Sequence, residues 1–74
     1  MAQPDALTVT QQVLQKVLGL AEPPAPDARL RLDLGMSSYA MMEAAVLLEE
    51  RLHATADFGK IAQAQTVEEL ARAW

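Results

Sequence analysis

A chain of 74 residues without a cysteine has room for one small domain with a modest core, and it cannot build a disulfide framework, a thiolate nucleophile or a sulfur-ligated zinc site. Ten acidic against six basic side chains leave a net charge of −4, which argues against nucleic acid and anionic membranes as partners. Hydrophobic residues make up 51% of the chain, enough apolar area to expect folding rather than disorder.

Pro4 and Asp5 are good helix-start residues, and Leu7, Thr10, Val13, Leu14, Val17 and Leu18 follow at spacings of three and four. This predicts an amphipathic helix ending near Gly19. The opening MAQPDALTVTQQ lacks the basic start and apolar stretch of a secretory signal, and the longest wholly apolar run is Ala44 to Leu48. A soluble, cytoplasmic protein is therefore expected.

In AEPPAPDARLRLDLGMS, Pro23, Pro24 and Pro26 forbid continuous helix and bias each preceding residue toward extended backbone. This is the one long loop, and loops of this length are usually functional or mobile. Leu30, Leu32 and Leu34 are expected to pin it to the core by alternate side chains. Gly35 can take the dihedrals of a sharp turn before the next helix, which Ser37 or Ser38 caps.

The second helix is predicted from about Ser38 to His53, with Tyr39, Met42, Ala45, Leu48 and Leu52 as its inward stripe. Glu43, Glu49, Glu50 and Arg51 would face water, and Met41, Val46 and Leu47 lie off the stripe. A short helical turn around Phe58 to Ala62 should follow. Thr66 then caps a last helix and Glu69 closes a capping box, with Val67, Leu70, Ala71 and Trp74 buried. Residues 1–74 thus read as one all-α domain of three principal helices and a short one.

Few chemistries fit these residues. His53 is the only histidine, and on one helix it would stand roughly 22 Å from Ser38 at about 1.5 Å of rise per residue, too far for a nucleophile and its base. Scattered carboxylates show no metal-ligand spacing, and Gly19, Gly35 and Gly59 form no phosphate-cradling loop. What remains is a solvent-facing serine at a helix start, beside a long loop and an acidic helical face. By itself that is either an ordinary cap or a hydroxyl that another enzyme modifies.

The stretch DLGMSSYAMMEAAVLLEERL resembles the attachment-site region of acyl and peptidyl carrier proteins, whose motif reads Asp/Glu-Leu-Gly-x-Asp-Ser-Leu. The likeness spans nearly the whole chain, though its specificity lies mostly in Leu34 to Leu52. Counted from Leu34 and Gly35, the family's modified serine falls on Ser38. Ser37 stands where the family usually has Asp, and Tyr39 where it has Leu. The Gly-x-Ser-Ser-aromatic-Ala form is similar to stand-alone carriers that dedicated ligases load with amino acids.

The resemblance implies a small acyl-carrier-protein-like four-helix bundle with a long first loop and 4′-phosphopantetheine on Ser38, near Gly35, Ser37 and Tyr39. It implies no catalysis by the chain itself. A phosphopantetheinyl transferase, an acyl- or aminoacyl-loading ligase and downstream synthases or transferases would be its partners, meeting a monomer. Docking would use Met41, Glu43, Val46, Leu47, Glu49 and Glu50 of the second helix. An unmodified helical adaptor using that same helix is the alternative.

Overall fold

The computed structural model describes residues 5–74; Pro4, expected at the start of the first helix, lies outside them. Four helices follow in chain order: α1 Ala6–Leu18, α2 Ser38–Leu52, α3 Phe58–Gln63 and α4 Val67–Arg72. Among the described residues no strand forms, and none of these helices is long and apolar enough to cross a membrane.

Each helix begins on a polar side chain that takes up an amide the helix cannot satisfy itself. The Asp5 carboxylate accepts the Leu7 amide at 2.7 Å and the Thr8 hydroxyl at 2.8 Å. Asp57 accepts the Lys60 amide at the start of α3, and Thr66 accepts the Glu69 amide at the start of α4. The predicted capping box is shifted by one residue, because Glu69 accepts the amide of Gln65 at 2.7 Å rather than that of Thr66. Helix α1 ends at Gly19, whose φ of 66° lets the Leu20 amide turn back to the Gln15 carbonyl at 2.9 Å.

The core forms where α1 packs against α2 and α4, with α3 closing on α2. Leu14, Leu30, Leu48 and Leu70 are fully enclosed, with Val13 and Val67 between them. Val9 joins this face, although the helical spacing had passed over it. The expected face of α4 is buried at Val67, Leu70 and Ala71, while Trp74 is half-buried.

The long loop is laced to the far end of the chain. Leu30 donates its amide to Gln65 at 2.8 Å, and Ala28 and Pro26 accept the amides of Val67 and Glu68. These bonds place Arg29 and Thr66 in an antiparallel bridge. Beyond the bridge the backbone winds: Asp33 donates to Arg29, Gly35 to Arg31 and Met36 to Leu30. Alternation therefore fails as a guide here. Leu30 and Met36 are buried and Leu34 is half-buried, but Leu32, predicted to pin the loop, is 77% exposed.

A larger correction concerns α2. Its buried residues are Met41, Ala44, Ala45 and Leu48, whereas Tyr39 is 78% and Met42 59% exposed. At about 100° per residue, each step of three falls about 60° short of a full turn. The predicted series Tyr39, Met42, Ala45, Leu48 thus drifts halfway round the helix, starting in water and ending in the core. Apolar residues occupy so much of the α2 circumference that the sequence allowed that drift.

Candidate functional site

Gly35 brings the loop to α2 with a φ of 65°, in the left-handed region that side chains with a Cβ resist. A Cβ built there would touch nothing within 4 Å, so glycine is required for its backbone rather than for space. Met36 is then buried, which anchors the entry to the helix.

The two serines divide the work at this entry. Ser37 is the cap: its backbone is extended and its Oγ accepts the Ala40 amide at 3.1 Å. Ser38 is the first helical residue and is exposed, with a hydroxyl that no backbone amide engages. Among the described residues, the amides of Ser38 and Tyr39 have no acceptor, and the first turn of α2 holds no acidic side chain. These free amides and the positive end of a fifteen-residue helix favour an anion attached at Ser38.

Beside Ser38 lies a cleft of about 210 Å³ between the loop, α2 and α3, lined by Leu30, Arg31, Met41, Met42, Phe58 and Ile61 among others. Arg31 and Ala64 also line a neighbouring groove of about 640 Å³, together with Arg29, Gln63 and Gln65. Arg29 is engaged there, since Asp33 accepts its amide at 2.8 Å and lies 3.3 Å from its guanidinium. The Arg29 amide, then the Arg29 side chain, hold the Asp33 carboxyl below its usual range.

The six helix positions expected to meet partners do not form one surface. Glu43, Val46 and Glu50 are exposed, as anticipated. Met41 is 8% exposed and part of the core, so it offers a partner nothing. Leu47 is half-buried against the core. Glu49, expected to face water, is partly buried, and its carboxylate accepts the Ala56 amide at 2.9 Å across the turn that follows α2. His53 forms that turn in the left-handed region, with a φ of 51°.

Tyr39 and Met42 are exposed where Met41 is not. With Glu43, Val46 and Glu50 they fall within about 100° of the α2 circumference, opposite the core face. The intervals of three, four and seven from Tyr39 were visible in the sequence, but the inward assignment of Tyr39 concealed them. Arg31, which lines both cavities, was not singled out from the sequence, and nothing in its neighbourhood marks it.

Residues 9–74 match the protein family described as a phosphopantetheine attachment site. No curated protein matches the chain significantly.

Proposed function

The chain belongs to the phosphopantetheine attachment site family, and on that footing we propose that Ser38 is the residue that carries the prosthetic group. Members of this family bear 4′-phosphopantetheine covalently. The reading is supported above all by the division of labour between the serines: Ser37 is occupied in capping α2, and Ser38 stands exposed at its first position.

Modification makes the Ser38 hydroxyl a phosphodiester, with loss of the hydroxyl proton and departure of the rest of coenzyme A. Unpaired amides at the start of α2 stabilise the negative charge that this places there. Once attached, the group supplies a terminal thiol that holds an acyl or aminoacyl cargo as a thioester. The chain itself contains no cysteine.

Its own residues orient the arm and present it to other proteins, and bond-making belongs to those partners: a phosphopantetheinyl transferase, a loading ligase and downstream synthases or transferases. The docking face is Tyr39, Met42, Glu43, Val46 and Glu50, apolar groups flanked by two carboxylates. Charge on such a surface steers encounter with basic patches more than it tightens the complex. Release remains easy, as a shuttle requires.

Intact mass after incubation with coenzyme A and a phosphopantetheinyl transferase tests the assignment. A gain of one arm that disappears in Ser38→Ala and persists in Ser37→Ala is expected. A gain that depends on Ser37 instead moves the attachment by one residue, and no gain with a competent transferase leaves an unmodified adaptor.

A further inference from the structure

Two cavities meet at Arg31, and they differ in size and in the number of polar side chains that line them. The cleft that includes Ser38 is mostly apolar and small, about 210 Å³, below the roughly 300–1,000 Å³ of pockets that enclose drug-sized ligands. The groove beyond it, at about 640 Å³, falls within that range and is lined by Arg29, Arg31, Gln63 and Gln65 together with Leu32 and two alanines. Arg31, Ala62 and Ala64 belong to both, so an arm rooted on Ser38 can reach the larger groove by passing Arg31.

Charge decides what that groove suits. Among the described residues the Arg31 guanidinium has no carboxylate partner, while that of Arg29 is paired with Asp33. An uncommitted guanidinium is a bidentate donor for a carboxylate, and side-chain amides such as those of Gln63 and Gln65 add further donors. This is a local cation on a chain of net charge −4.

We propose that the groove beyond Arg31 seats the acyl end of the cargo, and that this end is a short chain bearing a carboxylate. The proposal rests on Ser38 as the point of attachment. An acyl group ending in an ammonium meets like charge at Arg31.

The test loads the protein with stable amide-linked coenzyme A analogues carrying glutaryl, pentanoyl or 5-aminopentanoyl groups, and follows backbone amide resonances by NMR. The glutaryl form is expected to shift the amides of Arg31, Gln63 and Gln65, and the other two forms to leave them near their positions with the bare arm. Arg31→Gln should abolish the glutaryl shifts while the α1 and α4 resonances stay in place, and Arg31→Lys should retain part of them. Equal shifts from all three groups, or glutaryl shifts that survive Arg31→Gln, overturn the proposal. So does an Arg31-dependent shift already present with the bare arm, which would put the phosphodiester on that guanidinium. Failure of any analogue to add mass at Ser38 overturns the carrier reading instead, and mass spectrometry reports it separately.

Discussion

The Ser37 hydroxyl accepts the Ala40 amide at 3.1 Å, and that bond separates a capping serine from a neighbour whose hydroxyl no backbone amide engages. Ser37→Ala should lower stability by about 1 kcal/mol, the usual cost of a lost N-cap. Ser38→Ala should change it by less than about 0.5 kcal/mol, as surface substitutions do. Urea denaturation of the two unmodified variants checks the contrast, and equal losses would contradict the assignment of the cap.

Glu49 ties the end of α2 to the turn that leads into α3. Removing its carboxylate in Glu49→Ala leaves the Ala56 amide, on a half-buried residue, without its acceptor. A loss of about 1–2 kcal/mol follows, since hydrogen bonds to charged groups exceed neutral ones. Glu50→Ala should be nearly silent in the same measurement and should instead slow partner association at low salt.

Leu48 and Met42 were expected to share one buried face, and the structure places them on different ones. Leu48→Ala should cost about 2–5 kcal/mol, the range for emptying a core leucine site. Met42→Ala should cost less than about 1 kcal/mol because its side chain is mostly in water. Thermal unfolding of both variants decides between the predicted and the observed stripe.

Two exposed carboxylates give stability an acid-sensitive component. The Thr8 hydroxyl first, then the Leu7 amide, hold Asp5 below the ordinary value of 3.8, and bonds from Arg29 do the same for Asp33. A depressed folded-state pKa means that the contribution is fully present above the unfolded value. It is lost as pH falls below 3.8 and through the lower folded values. Stability measured against pH should decline across that window, and the decline should be shallower in Asp33→Asn. An unchanged slope in that variant would count against the Asp33 contribution.

Thr10 buries a hydroxyl that makes no hydrogen bond among the described residues. Thr10→Val keeps the branched shape and removes the unsatisfied oxygen, so stability should rise by about 1 kcal/mol. In a domain of this size that is an increase of roughly 4–8 °C in Tm. A decrease would mean that the hydroxyl has a partner in solution.

Helix number, helix ends and the identity of the paired serines were legible in the sequence because each depends on residues close together in the chain. Asp5, Ser37, Asp57 and Thr66 each accept an amide two or three residues onward. Gly19 and Gly35 take positive φ where the chain must turn. Such local bonds need no knowledge of the rest of the molecule. The match to the attachment motif is likewise a local string, so Ser38 stands out from the sequence alone.

Burial around α2 and along the loop was not legible, because it depends on which distant surface each segment meets. Leu30 is enclosed since its loop is bonded to Gln65 and Val67, some 35 residues away. Leu32, two residues on, points away because the backbone winds into a helical turn there, with Asp33 donating to Arg29 and Gly35 to Arg31. Met41 and Met42 are chemically identical neighbours, and only the seating of α2 against α1 puts one in the core and the other in water. By itself the sequence determined the helices and placed a pair of serines at the mouth of α2, features written in short-range hydrogen bonding. Tertiary structure alone decided which side of α2 is free for partners and that Arg31 stands between the two cavities, since both follow from the packing of segments far apart in the chain.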